Sequence, residues 1–166
     1  MKISDDLKKE AISKGLCKQW TDDWHDETLD TLCEKYVDGI DFCISNDYPS
    51  TLYMKKNFDG IMQKHGIFVD DKINIHNLKR CVINGVSIGK AVYDGFSVGK
   101  IYLRHHSALN LKVEGMSKVF ISMFDDCILN AECGPLAKLY IYRYGGDLKC
   151  NEQNNIFVRN EHIQRI

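Results

Sequence analysis

Apolar and polar residues alternate with a period of two through the second half of the chain, and the alternation restarts every ten residues. Ser97, Ser107, Ser117, Cys127, Ala137 and Asp147 form one column, and five of these six are small and uncharged. Two residues on stand Leu109, Val119, Leu129 and Leu139; four on stand Ile101, Leu111, Ile121, Ala131 and Ile141; six on stand Leu103, Val113, Met123 and Cys133. Spacings of i, i+2, i+4 and i+6 belong to a strand with one buried face, and each unit closes on a turn pair such as Glu114-Gly115 or Gly145-Gly146.

The beat doubles at twenty. SALNLKVEGM (Ser107 to Met116) and CILNAECGPL (Cys127 to Leu136) share Leu-Asn at one offset, while SKVFISMFDD and AKLYIYRYGG, between and after them, share Lys, an aliphatic residue, an aromatic and Ile. An antiparallel meander gives no reason for likeness at i+20, because those strands do not touch. A flattened solenoid with two strands per coil does, since residues twenty apart then stack about 4.8 Å from each other. The pattern predicts an α+β chain in which a short β-solenoid of about four coils begins near Leu78; the competing architecture is an antiparallel sheet or sandwich with helices. At the end of the array Asp147, Lys149 and Asn151 would point inward if the register held. A one-residue slip is therefore expected, putting Leu148 and Cys150 inside before Ile156-Phe157-Val158 adds a closing strand.

The first 76 residues follow a helical rule and are read as a three-helix head, with residues 77–166 as the β-repeat region. Ser4 before Asp5, Asp6 and Leu7 reads as an N-cap, and Gly15 as a stop. Trp20 and Trp24 stand four apart, with Thr21 a candidate cap. Leu29, Leu32, Cys33, Tyr36, Val37, Ile40 and Phe42 give a stripe at helical spacing, interrupted by Gly39. Asn46 to Pro49 is a turn, and Ser50 caps a helix carrying Leu52, Tyr53, Phe58, Ile61 and Met62 that ends near Gly66. Ile67-Phe68-Val69 reads as a first strand. One role expected of the head is to cover the open end of the coil stack.

Composition narrows the classes. With 44% apolar and 27% charged residues the chain can bury a core unaided by metals or disulfides. It has no apolar run of membrane-spanning length, and its polar N-terminus does not read as a signal peptide. Seven cysteines without a CxxC pair suit a reducing, cytoplasmic setting, where Cys81, Cys127 and Cys133 act as small apolar fillers. No metal and no cofactor is expected. Charge is uneven: ten Lys against fifteen acids through His76, then twelve Lys or Arg against eight acids. That surplus is weak beside the basic stripes that bind phosphate backbones, so a protein partner or self-association is expected rather than nucleic acid.

Two outward features could carry function. Phe120, Phe124, Tyr140, Tyr142 and Tyr144, joined by Tyr102, fall on one side of the array and form an aromatic strip, a composition that marks interfaces or sugar and base stacking. At a corner, His105 and His106 share repeat positions with Asp125 and Asp126; two imidazoles beside two carboxylates could act as an acid–base pair or hold a divalent ion, or be a solvated corner without a function. P-loop, GxSxG, HExxH and GxGxxG signatures are absent from the sequence.

The units SKVFISMFDD and AKLYIYRYGG, behind a head containing GIDFCISNDYP (Gly39 to Pro49), resemble a loose group of small bacterial, phage or mobile-element proteins that have no established activity. The resemblance implies an intracellular accessory protein and carries over no functional residue. Residues and resemblance together point to a non-enzymatic interaction or scaffold module that binds through its aromatic β face. The alternatives are an inhibitor or counter-defence protein of a mobile element, and a carbohydrate binder or metal-dependent enzyme using the His and Asp corner.

Overall fold

The computed structural model describes residues 2–151 and 155–161 of the chain. It divides into two compact units, Met1–Ile67 and Phe68–Ile166.

The first unit holds five α-helices among its described residues, where the sequence pattern suggests three: α1 (Lys2–Ser13), α2 (Lys18–Asp22), α3 (Leu29–Asp38), α4 (Ile40–Asn46) and α5 (Thr51–Phe58), followed by a 3-10 turn at Met62–His65. Gly39 caps α3 and opens α4, so the long stripe is two helices that keep one buried side through Leu32, Cys33, Tyr36, Val37, Ile40 and Cys43. Gly15, at φ +92°, ends α1 as expected, with Leu16 N–H donating to the Ala11 carbonyl at 3.0 Å. Ser50 caps α5 by accepting from Tyr53 N–H at 3.2 Å. Ser4 is not a cap. It lies inside α1, fully buried, and its Oγ accepts from the Trp24 indole N–H at 3.0 Å and from Glu27 N–H at 3.3 Å. Thr21 likewise sits within α2, its hydroxyl donating back to the Cys17 carbonyl at 3.0 Å. Leu52, expected inward, is exposed, and Met54 takes the buried side of α5 with Phe58.

The second unit is a β-solenoid of about four turns. Its strands are β1 (Ile67–Val69), β2 (Lys72–His76), β3 (Arg80–Asn84), β4 (Ile88–Tyr93), β5 (Val98–Leu103), β6 (Ala108–Val113), β7 (Lys118–Met123), β8 (Ile128–Cys133), β9 (Lys138–Arg143), β10 (Asp147–Cys150) and β11 (Ile156–Asn160). Odd strands form one sheet in the order β1-β3-β5-β7-β9-β11, even strands the other in the order β10-β8-β6-β4-β2. Pairing is parallel, and from β3 to β9 each residue faces the one twenty places on, as Ile101 faces Ile121 and Leu109 faces Leu129. The slip at the end also occurs: Leu148 lies beside Leu129 and Cys150 beside Ala131. The array starts earlier than the sequence suggests, because β2 pairs with β4 at a spacing of sixteen, Lys72 beside Ile88.

Hydrophobic rows run through the stack, among them Cys81, Ile101, Ile121 and Ile141, all within 1% of full burial. Burying each such aliphatic side chain is worth about 1.5–3 kcal/mol. The small column has its own cause. From Ser97 to Ala137 the chain turns through four-residue bends closed by an N–H from that column, such as Ser117 N–H to the Glu114 carbonyl at 3.2 Å, and Ser107, Ser117, Cys127 and Ala137 of the column are buried. The bend's second residue is left-handed at His105 and Asp125 (both φ +57°), a conformation that His, Asp and Asn tolerate better than other side chains. One coil departs from the repeat. Tyr93 stands where Val113 and Cys133 stand in later coils, fully buried, with its hydroxyl donating to the Leu78 carbonyl at 2.8 Å. Gly99, in the row of Val119, makes room for it: a Cβ there would lie 2.3 Å from the Tyr93 ring.

Candidate functional site

The aromatic strip resolves into distinct rows, because parallel register fixes which side chains can meet. In the first row Lys100, Phe120, Tyr140 and Phe157 lie side by side on β5, β7, β9 and β11. The Phe120 and Tyr140 rings stack with centroids 4.9 Å apart and planes 11° apart, and Tyr140 stacks on Phe157 at 5.0 Å and 16°. At the corner beyond β9, Tyr144 stacks on Phe124 at 4.9 Å and 5°. These separations are the strand spacing itself, so the sheet dictates the stacking.

The second row runs Val82, Tyr102, Ser122, Tyr142 and Arg159. Tyr102, expected to join the strip, is buried here, as is Val82 beside it, and Lys100 Nζ lies 5.3 Å from the Tyr102 ring centroid. Of the strip, the rings that keep access to solvent are Tyr144 and its half-buried neighbours Phe120, Phe124, Tyr140 and Tyr142, joined by Phe157. Sequence reasoning placed Phe157 in a closing strand but left it out of the strip. Its partner Tyr140 is seventeen residues back, not twenty, and a column drawn at the regular spacing passes it by.

The arrangement has a chemical consequence. In each stacked pair the ring faces are turned to one another, so the rows present mainly ring edges and tyrosine hydroxyls to solvent. Sugar and base platforms work through open ring faces. Within the stacked rows such faces remain at the row ends, while Tyr142, between Ser122 and Arg159, has no stacked partner among the described rings.

The His and Asp corner is built of backbone capping. His105 Nδ1 accepts from Gly85 N–H at 3.0 Å, and Asp125 Oδ2 accepts from His105 N–H at 3.1 Å. Asp70 caps from the other side, its Oδ1 accepting from Val86 N–H of the following coil at 2.8 Å. Stacking does bring His105 over Asp125, but the carboxylate bonds the histidine's backbone. His106 and Asp126 are exposed and 3.8 Å apart. Among the described residues no three His, Cys, Asp or Glu side chains converge as a metal site would require. The opposite sheet face carries the expected polar ladder: Asn130 Nδ2 donates to Asn110 Oδ1 at 3.1 Å, while Lys112 pairs with Glu114 at 3.1 Å and lies beside Glu132.

The helical unit holds an apolar cavity of about 260 Å³ whose lining includes Leu7, Trp20, Trp24, Tyr36, Phe42 and Lys35. Lys35 Nζ is 5.7 Å from the Trp20 ring centroid and 3.4 Å from Glu27. None of the seven cysteines is in a disulfide. Burial pushes the thiols of Cys33 and Cys81 up to about 12 and that of Cys127 to about 11, which leaves them inert as nucleophiles. No helix among the described residues is long and apolar enough to cross a membrane. No family model, curated protein or solved structure matches the chain.

Proposed function

We propose that this protein is a non-enzymatic interaction or scaffold module that binds a protein partner through the outward aromatic rows of its six-stranded sheet. The observation that carries the reading is the ladder of Phe120, Tyr140 and Phe157, flanked by Phe124 and Tyr144. A row of ring edges and hydroxyls on a rigid sheet offers large apolar contact at low entropic cost, the property that enriches aromatics at protein interfaces. The same geometry speaks against sugar stacking, and the capping bonds at His105 and Asp125 speak against an acid–base or metal role for that corner. The setting proposed is the cytoplasm, in keeping with cysteines that form no disulfide. Carriage by a mobile element as an inhibitor of one host protein is the narrower form of the same reading.

The test replaces Phe120, Tyr140 and Phe157 together by Ser and compares tagged wild type and variant on one cell extract. Recovery of a stoichiometric partner by the wild type and its loss on the order of tenfold or more in a variant of unchanged far-ultraviolet spectrum is the expected result. Equal recovery by both proteins overturns the reading. So does a glycan that raises the melting temperature of the wild type alone, since a ligand specific to the native state must stabilise it.

A further inference from the structure

The last strand of the six-stranded sheet is unfinished on one side. Among the described residues β11 pairs with β9 and with no other strand. Two hydrogen bonds fix its phase: Leu139 N–H donates to the Asn155 carbonyl at 3.0 Å, and Glu161 N–H donates to the Arg143 carbonyl at 2.8 Å. Alternate residues of a parallel strand serve the same neighbour, so Phe157 and Arg159 turn their backbone groups to β9. Ile156, Val158 and Asn160 turn theirs to the open side. The side chains are equally incomplete. Val158 extends the row of Ile101, Ile121 and Ile141, which are within 1% of full burial, yet it is 43% exposed; Phe157 is 46% exposed with one ring face stacked on Tyr140. β11 holds no Pro, and its one charged side chain, Arg159, is paired with Glu161 of the same chain, so the edge is little blunted against pairing.

We infer that a second copy of this chain occupies the edge, through an antiparallel β11–β11 pair about a two-fold axis at Val158. The strand is self-complementary in that register. Val158 meets its counterpart and Ile156 meets Asn160 of the second copy, so every outward backbone group of β11 falls in a hydrogen-bonded pair. Phe157 then faces Arg159 of the second copy at the close, non-hydrogen-bonded position, where the guanidinium, held at its Nε by Glu161 of its own chain at 2.5 Å, can lay its plane on the open ring face at the end of the aromatic ladder. Neighbouring registers are poorer. Centring on Phe157 leaves Asn160 beyond the opposing β11, and centring on Arg159 sets two cations against each other. A two-fold contact of this kind closes on itself and yields a dimer rather than a filament. The inference shares Phe157 with the aromatic ladder, but its tests at Val158 leave Phe120, Tyr140 and Phe157 in place, so a failed self-association is told apart from a failed partner contact.

Light scattering on the purified full chain from about 1 to 100 µM spans the dissociation constants of weak to moderate complexes. The expected mass at the upper end is twice the 19.1 kDa of one chain. Val158→Lys, at a position already partly exposed, keeps the fold and weakens dimerisation on the order of 100-fold. Val158→Cys, mildly oxidised, gives a disulfide that maps to position 158 in both chains, because opposed Cα atoms about 5.5 Å apart suit that bond. Ile156→Cys, whose counterpart is Asn160, gives no such self-link. Should Val158→Lys fail to fold, Arg159→Glu at an exposed site reads the same interface and is expected to weaken it about tenfold. A monomer at every concentration overturns the inference, and so does a dimer that survives these substitutions without a link at position 158.

Discussion

The helical head and the β-solenoid solve the same problem, burial of apolar side chains, with opposite economies of information. In the solenoid one rule serves the strands from β3 to β9: a residue packs against those twenty places before and after it, as Ile121 does between Ile101 and Ile141. In the head nearly every contact is made once. Ser4 ties α1 to Trp24 and Glu27, and the Tyr48 hydroxyl donates to the Leu7 carbonyl at 2.6 Å across forty-one residues. Repetition makes a unit whose positions are interchangeable in kind, whereas the head depends on particular pairs. The difference can be measured, because both tryptophans lie in the head and report on it alone.

The largest effect is expected in the solenoid's central row. Ile121→Ala opens a void between Ile101 and Ile141, all three essentially fully buried, and should cost about 2–5 kcal/mol in urea denaturation followed by far-ultraviolet circular dichroism. If the row acts as a ladder, a second truncation at Ile101 or Ile141 will not add simply to the first, since the enlarged cavity is shared. Strict additivity would mean that these side chains do not pack on one another. The repeat would then be one of sequence only.

A somewhat smaller effect tests the coil that breaks the rule. Gly99→Val restores the residue of the following coil but drives a side chain into the Tyr93 ring, and overpacking of this kind costs about 1–3 kcal/mol. Adding Tyr93→Val, which restores the residue at Val113, should recover most of that loss. The two substitutions would then be coupled although each brings its position closer to the repeat. A Gly99→Val protein as stable as the wild type would show that the tyrosine has room to move, and the compensation between the two positions would be refuted.

These positions also show what could be read from the sequence. The inward columns, the twenty-residue stacking and the slip at Leu148 were legible because each is a regularity, and period is the one feature that alternating residues state directly. What escaped lies where the period fails. β2 alternates as clearly as later strands, but its partner is sixteen residues on; Phe157 completes the aromatic ladder at seventeen. Tyr102 shares the strip's side of the sheet, yet the strip could not reveal that it and Val82 are buried. In the head, Ser4 before two acids carries the local signature of a cap, and only its once-made contacts with Trp24 and Glu27 override it. The His and Asp corner was visible as a juxtaposition. That His105 Nδ1 and Asp125 Oδ2 accept from backbone N–H groups depends on left-handed bends, which a sequence column does not display.

The smallest effect belongs to the head and turns on pH. Burial pushes the Glu27 carboxyl up, but hydrogen bonds from Thr31 and from His25 N–H, with Lys35 3.4 Å away, outweigh it and hold the group below its usual 4.5. A carboxyl depressed on folding stabilises the native state above its unfolded value, and that contribution is lost as pH falls through the lower, folded value. Glu27→Gln should therefore cost about 1 kcal/mol or less at pH 7, followed by tryptophan fluorescence in urea, and the difference from wild type should shrink toward pH 3. Mass is almost unchanged by the substitution, so a deficit that stays constant over this range would assign Glu27 a packing role and leave the ion pair with Lys35 without a share in the head's stability.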